Sequence, residues 1–204
     1  MGDGGKWVCD PERITKQVNS GGSCLVYSVG SNGQFDFEAR VLRDISPSCE
    51  VHVFDPAPAG VEGESYVADR QGLPANVTYH QMALGSDGDI VAGVAAKSLA
   101  TTAKELGHTD RMIDIFKIDC EGCEWKAHKA FFESGVKIRQ IQIELHWVAN
   151  QKSMGSTASE FFNHLYDNGY VIFNKEPNTY GTGGECIEYA FLQLSTSFSQ
   201  PGSS

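Results

Sequence analysis

Phe116-Lys-Ile-Asp-Cys-Glu-Gly-Cys-Glu-Trp125 is the stretch that decides the fold class of this chain. Its apolar start predicts a buried strand over residues 113–119, and the residues after its glycine predict a helix over 125–134. Gly135 ends that helix, because glycine is the commonest residue just past a helix C-terminus. A strand followed at once by a helix is the unit from which parallel sheets are built.

The same alternation of strand and helix continues on both sides of this unit. The predicted strands cover residues 23–30, 50–55, 76–84 and 138–146, and the predicted helices cover residues 34–45, 98–106 and 161–167. A capping-box pattern, Thr157-Ala-Ser-Glu160, places the start of the last helix just before Phe161. Two final β-rich runs, residues 170–173 and 186–194, have no helix between them and therefore predict a hairpin.

These elements predict an α/β fold in which a mostly parallel sheet carries helices on both faces and ends in an antiparallel hairpin. With 204 residues, the chain has the length of one domain with a substantial core. We expect a single domain over residues 1–194. Within it, residues 1–22 form an N-terminal helical extension, and residues 195–204 form a flexible tail.

The chain is acidic, with 16 Lys and Arg against 26 Asp and Glu and a formal net charge of −10 at pH 7. This balance argues against a nucleic acid partner held mainly through its phosphates, because such binding needs a basic face. No run approaches the roughly 18 to 20 apolar residues of a membrane-spanning helix, and the start has no signal-peptide core. We therefore expect no membrane partner and a soluble, cytoplasmic protein. A chain trimmed from a secretory-pathway protein would show the same pattern, so the compartment and the oligomeric state stay open.

Polar residues follow the predicted strands at their carboxyl ends, the edge at which ligands bind in open parallel sheets. The turn Gly30-Ser31-Asn32-Gly33 leads into a helix, where absent side chains let a ligand approach the backbone. A tight connection without a ligand would look the same. Asp55 ends the next strand, where a carboxylate accepts hydrogen bonds from a ribose diol. Together the turn and Asp55 favour a nucleoside-containing ligand.

The pattern K-I-D-x-E-G-x-E-W over residues 117–125 resembles that of the FkbM-type S-adenosylmethionine-dependent methyltransferases, and in particular the branch of methyltransferase-like protein 24. The resemblance extends over roughly residues 24–194. The other matching motifs are Val26-Tyr-Ser-Val-Gly30, Val51-His-Val-Phe-Asp-Pro56, Met82-Ala-Leu-Gly85, Ile143-Glu-Leu-His146 and Cys186-Ile-Glu-Tyr189. This resemblance implies a Rossmann-like class I methyltransferase fold with a seven-stranded sheet, and S-adenosyl-L-methionine as the cofactor.

The resemblance also implies which residues bind the cofactor. They are Gly30, Ser31, Asn32, Gly33, Asp55, Ala83, Leu84 and Asp119. In this assignment the glycine turn holds the methionine and ribose parts, and Asp55 takes the ribose hydroxyls. Residues 82–84 line the adenine pocket, with Asp87 near the adenine amino group, and Asp119 contacts the cofactor's amino group or the acceptor.

One position departs from the family pattern. Members of the family usually carry an acidic residue just before the glycines, whereas this chain has Tyr27 and Ser28 there. Asp36 and Glu38, in the helix that follows the turn, are the candidates to replace that carboxylate.

Methyl transfer from a sulfonium is an in-line displacement, and an oxygen or nitrogen acceptor must also lose a proton. His146 is the first candidate for the base, because imidazole titrates near neutral pH and this residue ends a strand at the predicted cleft. Asp119 and Glu144 are second candidates. The alternative for His146 is a structurally bonded or solvent-facing histidine.

A divalent cation is an alternative at the same edge. Asp119, Glu121, Glu144 and His146 could hold magnesium, which would orient a diol acceptor. In the other interpretation Glu121 and Glu124 only stabilise the start of the helix. We expect a small-molecule or carbohydrate-like acceptor, whose identity the sequence does not specify.

Two other function classes stay open. Cys120 and Cys123 form a C-x-x-C pair at a strand-to-helix junction, as in dithiol oxidoreductases. The other class is a methyltransferase fold that binds the cofactor without turnover. We favour the enzyme, and we expect the six cysteines to be reduced thiols, because they are too few and too scattered for a disulfide framework.

Overall fold

A seven-stranded sheet runs through the centre of the molecule. The structure is a computed structural model that describes residues 5–56, 76–91, 93–147, 154–178 and 186–194. In chain order the strands are β1 (Leu25–Val29), β2 (Glu50–Asp55), β3 (Val77–Gln81), β4 (Ala83–Leu84), β5 (Ile90–Val91), β6 (Val94–Lys97), β7 (Met112–Ile113), β8 (Ile115–Ile118), β9 (Lys137–Ile138), β10 (Gln140–His146), β11 (Tyr170–Asn178) and β12 (Cys186–Gln193). The helices are α1 (Pro11–Asn19), α2 (Asp36–Arg40), α3 (Leu99–Glu105), α4 (Glu124–Phe132) and α5 (Met154–Asp167), and one turn of π-helix, Val41–Ile45, continues α2.

The strand order in the main sheet is β11-β12-β10-β8-β1-β2-β3. Strands β1, β2, β3, β8 and β10 pair in parallel, whereas β12 runs antiparallel to both β10 and β11. The predicted sheet, mostly parallel with a C-terminal antiparallel hairpin, is therefore confirmed. From β1 the chain first adds β2 and β3 on one side of the sheet. It then returns to the other side of β1, where it adds β8, β10 and the C-terminal hairpin. The carboxyl ends of β1 and β8 thus form the switch point at which ligands bind in such sheets.

Helices cover both faces of this sheet, as a parallel sheet requires. Helices α3, α4 and α5 bury Leu99, Phe131 and Phe161 in one hydrophobic cluster. Helix α1 and the π-helical turn bury Ile14 and Val41 in the other. Strand β1 is buried along its whole length, which explains why its apolar residues are continuous rather than alternating. No helix in the described ranges is long and apolar enough to span a membrane.

Several predicted elements differ from the structure. The predicted strand over residues 113–119 divides into β7 and β8, and the one over residues 138–146 divides into β9 and β10. Residues 76–84 divide into β3 and β4, because the Met82 N–H donates to the His80 carbonyl at 2.8 Å and turns the chain towards β6. Helix α5 begins at Met154, so Thr157 lies inside it and the capping-box interpretation is wrong. The helix starts early because Ala158 already packs against the core that Phe161 enters. The predicted tail, residues 195–204, lies outside the described residues.

The expectation that all six cysteines are reduced is wrong, because the structure contains two disulfides. Cys24 and Cys49 precede Leu25 and Glu50, which are paired in register between β1 and β2. This pairing brings the two cysteine Cα atoms to 4.6 Å, within the range of a disulfide. The second disulfide joins the two cysteines of the C-x-x-C pair in the turn before α4.

Removal of the disulfide between β1 and β2 should lower stability. We expect Cys24→Ser with Cys49→Ser to lower the free energy of unfolding by about 3 kcal/mol, because the crosslink restricts the unfolded chain. Urea denaturation measures this difference. The matched control is Cys120→Ser with Cys123→Ser, whose sequence separation is 3 rather than 25, so that removing it frees the unfolded chain far less. Equal losses in the two variants would contradict this explanation.

Candidate active site

The turn after β1 approaches the end of β8 so closely that only glycine fits at position 30. Gly30 has a φ of +77°, and a Cβ built on it would lie 1.7 Å from the carbonyl oxygen of Asp119. The Lys117 ammonium, on the neighbouring strand, donates to the Gly30 carbonyl. Asn32 and Gly33 also have positive φ values. The predicted cofactor turn is therefore a tight backbone loop at the switch point of the sheet.

Asp55 holds this turn in shape from the end of β2. Its Oδ2 accepts hydrogen bonds from the Ser31 N–H at 2.8 Å, the Asn32 N–H at 2.9 Å and the Ser31 hydroxyl at 3.2 Å. The residue is buried. The structure thus brings Asp55 and the glycine turn together, as the sequence predicts. The contact of Asp55 with a ribose stays a prediction.

The segment predicted to line the adenine pocket follows β3. Ala83 and Leu84 form β4 and are both buried. Asp87 accepts hydrogen bonds from the Ser98 N–H at 2.7 Å and the Thr101 hydroxyl at 2.9 Å, and these bonds lower its pKa. The carboxylate of Asp87 therefore anchors the start of α3, which argues against its predicted contact with the adenine amino group.

The buried carboxylate of Glu38, on α2, lies beside Ser28 and near Lys117. Tyr27 and Ser28 occupy the positions at which the resembled family usually carries its acidic residue. Neither oxygen of Glu38 makes a hydrogen bond of ordinary geometry within the described residues. Burial raises the pKa of Glu38 although the charge of Lys117 opposes this. Asp36, the other candidate, is exposed, so the structure favours Glu38 as the replacement.

Three carboxylates from β12, β10 and the end of β8 surround one lysine. The Lys6 ammonium lies 3.2 Å from Asp119 Oδ2, 3.3 Å from Glu144 Oε2 and 2.5 Å from Glu188 Oε1. Glu144 also accepts a hydrogen bond from Asn178 Nδ2 at 2.9 Å. Because Glu144 is held in this buried network, a positioning role suits it better than the predicted role as a base.

The charges in this carboxylate cluster depend on one another. Burial opposes the charge on Lys6, but the neighbouring carboxylates outweigh it and raise the pKa of Lys6 above its usual value. Burial raises the pKa of Glu188 to about 7, although Lys6 opposes the shift. Burial also acts against ionisation of Asp119, but Lys117 and Lys6 lower its pKa. Glu144 and Glu188 face each other in register, so a cation between them removes a like-charge repulsion.

The segment before α1 brings Lys6 to this cluster by lying along β10. The Cys9 N–H donates to Gln140 Oε1 at 2.8 Å, and Gln140 Nε2 donates back to the Cys9 carbonyl at 3.1 Å. Trp7 Nε1 donates to Glu176 Oε2 on β11 at 2.8 Å. The N-terminal extension is therefore part of the candidate site as well as a helical extension.

His146, at the end of β10, is bound on its inner side by Glu124. Its Nδ1 lies 2.7 Å from Glu124 Oε1, which also accepts the His146 backbone N–H at 2.8 Å. Its Nε2 lies 3.4 Å from Glu121 Oε2 and 3.9 Å from Asp119 Oδ1. Burial opposes a charge on the imidazole, but the bond to Glu124 and the surrounding carboxylates raise the pKa of His146 to about 9. At neutral pH this histidine is therefore a cation.

The four residues predicted as an alternative cation site lie near one another but do not form one ligand set. Asp119, Glu121 and His146 form one group with ligand atoms within 4.8 Å of each other. Glu144 groups instead with His146 and Cys186. The Lys6 ammonium lies between Asp119 and Glu144, where it supplies the positive charge that a divalent cation would bring.

Three contributions to this site are not predicted from the sequence. Lys6 has no local signal, because Glu144 and Glu188 lie 138 and 182 residues further along the chain. Glu188 stands within one of the matched motifs, at Cys186-Ile-Glu-Tyr189, and its place opposite Glu144 in a hairpin strand is a signal that could have found it. Glu124 is predicted only as a helix-terminal acid, whereas it is fully buried against His146.

A mostly parallel seven-stranded sheet with an antiparallel C-terminal hairpin defines the Rossmann-like class I methyltransferase fold. This chain belongs to the methyltransferase-domain family, because the family described as "Methyltransferase domain" matches residues 1–193. The match does not distinguish branches of the family, so the resemblance to the FkbM type stays a hypothesis. The comparison with curated proteins found no match.

Several solved methyltransferase structures share the fold at low sequence identity. Human methyltransferase-like protein 13, in complex with S-adenosylhomocysteine, has a TM-score of 0.54 and 10% identity, and the match covers 96% of this chain and 80% of that one. A putative O-methyltransferase from Klebsiella pneumoniae has a TM-score of 0.51 and 11% identity, with 94% and 84% covered. The Methanococcus jannaschii fibrillarin pre-rRNA processing protein has a TM-score of 0.50 and 10% identity. The match covers 84% of this chain and 66% of the fibrillarin, so this chain spans about two thirds of its length.

Proposed function

We propose that this chain is an S-adenosylmethionine-dependent methyltransferase that methylates an oxygen or nitrogen atom of a small-molecule or carbohydrate-like acceptor. The glycine turn carries the proposal. Its backbone is held by Asp55 at the switch point of the sheet, and Gly30 is a position that a side chain cannot occupy. Such a turn suits a ligand that contacts the backbone.

The residues around this turn fit the cofactor, which supplies an electrophilic methyl group on a sulfonium. The turn itself would bind the methionine and ribose parts, and Asp55 would accept hydrogen bonds from the ribose hydroxyls. Ala83 and Leu84 would line the adenine pocket. Glu38 would act as the carboxylate partner of the cofactor's amino group, because its buried oxygens lie beside the position that the family fills with an acid.

At the acceptor end, the neutral form of His146, which is the minor form at pH 7, would take the proton that the acceptor loses. Its pairing with Glu124 aims the imidazole and stabilises the charge that it gains. Asp119 would contact the acceptor or the cofactor's amino group. Glu144 would position Lys6, whose charge makes a divalent cation unnecessary in this cluster, so we expect chelation by EDTA to leave methyl transfer unchanged.

Calorimetry with S-adenosylhomocysteine tests the cofactor assignment. We expect the protein to bind this product, and Asp55→Asn to weaken binding by about 10- to 100-fold, because hydrogen bonds to a charged acceptor contribute about 1.5–3 kcal/mol. Asp167→Asn, an exposed residue at the end of α5, is the matched control. If the Asp55 variant bound as tightly as its parent, the ribose assignment would be wrong. A folded parent protein that does not bind would overturn the proposed enzyme.

Two further measurements separate the other function classes. Methyl transfer to a panel of hydroxyl and amine acceptors, followed by release of S-adenosylhomocysteine, distinguishes an enzyme from a module that only binds the cofactor. Cys120→Ser with Cys123→Ser is expected to keep both binding and transfer. Loss of all activity in that variant, in the presence of reductant, would favour the thiol oxidoreductase instead.

A further inference from the structure

A second cluster of titratable groups lies at the opposite edge of the sheet from the cofactor turn. Glu50 begins β2 and Asp55 ends it, so about 16 Å of strand separates the two edges. Glu50 Oε1 lies 2.9 Å from His52 Nε2 and 3.1 Å from His108 Nε2. The ligand atoms of these three residues all lie within 4.8 Å of one another.

The second nitrogen of each imidazole is also held. His108 Nδ1 lies 2.7 Å from the Tyr27 hydroxyl, and His52 Nδ1 lies 2.8 Å from His80 Nε2. Histidines that bind metals almost always have such a partner on the other nitrogen, which sets the tautomer and the orientation of the ring. Both rings are buried, and their Nε2 atoms both point to the Glu50 carboxylate.

We propose that Glu50, His52 and His108 bind a zinc ion. Two imidazole nitrogens and a carboxylate are the protein ligands of many three-ligand zinc sites, in which water takes the remaining position. Tetrahedral ligands at the usual zinc distances lie about 3.3 Å apart. The observed separations of 2.9 and 3.1 Å need to widen by only a few tenths of an ångström. Glu50 is partly exposed, so the ion has a route from solvent.

The hydrogen bonds on the outer nitrogens survive metal binding. Without the ion, each Nε2 carries a proton and donates to Glu50. With the ion, the proton lies on Nδ1, which then donates to the Tyr27 hydroxyl in one ring and to His80 Nε2 in the other. His80 must therefore also change tautomer and carry its own proton on Nδ1. Binding of the ion through Nε2 therefore requires a change of tautomer in both rings.

Arg111 makes the zinc proposal distinguishable from an ordinary salt-bridge network. Its NH1 lies 2.6 Å from Glu50 Oε2, so it orients the carboxylate and leaves Oε1 to the two imidazoles. Its positive charge opposes a divalent cation nearby. We therefore expect Arg111→Gln to bind zinc more tightly than the parent. If the cluster only forms salt bridges, neither the parent nor Arg111→Gln should bind zinc.

The bound ion would crosslink two segments of the chain. It joins the start of β2 to the segment between α3 and β7, where His108 lies, and its site contains none of the residues of the proposed methyl-transfer site. Zinc is therefore expected to raise the melting temperature of the protein, while its removal leaves S-adenosylhomocysteine binding in place. This separates the failure of the zinc proposal from failure of the proposed function.

The test uses the full chain with its disulfides intact, stripped with EDTA and dialysed against zinc sulfate. Elemental analysis is expected to find one zinc per chain in the parent and in the control His164→Gln. His52→Gln and His108→Asn are expected to retain none, and Tyr27→Phe to bind about ten-fold more weakly through loss of the outer hydrogen bond. Cobalt in place of zinc should give the visible spectrum of nitrogen and oxygen ligands, without the charge-transfer band of a thiolate.

Three results would overturn the proposal. They are a parent that retains no zinc, zinc retained equally by the parent and His52→Gln, and a thiolate band that places the metal on a cysteine. Glu50→Gln guards against variants that fail to fold, because it keeps the size of the side chain and removes only its charge. Its circular dichroism should match the parent while its zinc affinity falls at least ten-fold.

Discussion

Gly30→Ala should abolish measurable binding of S-adenosylhomocysteine and destabilise the protein more than any other single substitution in the glycine turn. The added Cβ would lie 1.7 Å from the Asp119 carbonyl oxygen, so either β1 and β8 must separate or the turn must move. The positive φ of +77° adds about 1–2 kcal/mol for any residue with a Cβ. We expect the free energy of unfolding to fall by about 4 kcal/mol in total, which is more than most single substitutions cause.

Gly135→Ala is the matched control for this experiment. Gly135 has a φ of +73°, close to that of Gly30, but a Cβ built on it meets no atom within 4 Å. Both variants place an alanine at a positive φ, but only Gly30→Ala also brings a Cβ against the Asp119 carbonyl oxygen. Urea denaturation and calorimetry should show that Gly135→Ala loses about 1–2 kcal/mol and keeps its affinity. If both variants lost the same stability and bound equally well, the close approach of the turn to β8 would not be what position 30 requires.

His146→Asn should lower the rate of methyl transfer by about 10²- to 10⁴-fold, the usual contribution of a general base. Because the pKa of His146 is raised to about 9, the neutral base is scarce at pH 7. The rate in the parent is therefore expected to rise with pH until about pH 9. Stability has the opposite trend, since a raised pKa stabilises the folded state below the unfolded value of about 6.5 and this contribution is lost as the pH passes 9.

Glu124→Gln tests the role of His146 as the base through its pKa. Without the Glu124 charge, the pKa of His146 should fall towards its ordinary value, and the pH at which the rate levels off should fall with it. Titration of the His146 imidazole by NMR measures the pKa without any acceptor. The control is Glu133→Gln, an exposed acid after α4 that does not contact His146. An unchanged His146 pKa in Glu124→Gln would show that Glu124 does not hold the charge, and an unchanged rate in His146→Asn would remove His146 as the base.

Local patterns explain why the sheet and its ligand edge are predictable from the sequence. A continuous apolar strand such as β1 and a glycine turn such as Gly30–Gly33 are both encoded within a few neighbouring residues. The pairing of Asp55 with the turn is also accessible, because in a parallel sheet the carboxyl ends of adjacent strands meet at one edge. The capping-box pattern is equally local, but it predicts the wrong start for α5. The packing of Ala158 against the distant core outweighs it.

The parts that are not predictable depend on residues far apart in the sequence. The partners of Lys6 belong to β10, β12 and the end of β8, and only the strand order brings them together. The disulfide between β1 and β2 follows from a register that no spacing of cysteines reveals. The pKa of His146 could not be foreseen either, because it depends on how deeply Glu124 is buried.

The position of Lys6 has a consequence for the order in which the molecule can be completed. Lys6 leaves the ribosome 182 residues before Glu188. During synthesis the ammonium must stay in water, because the strand that carries its closest partner does not yet exist. The segment before α1 can therefore bring Lys6 to its final position only after β12 has been synthesised. Two segments far apart in the sequence thus complete the carboxylate cluster together, late in its assembly.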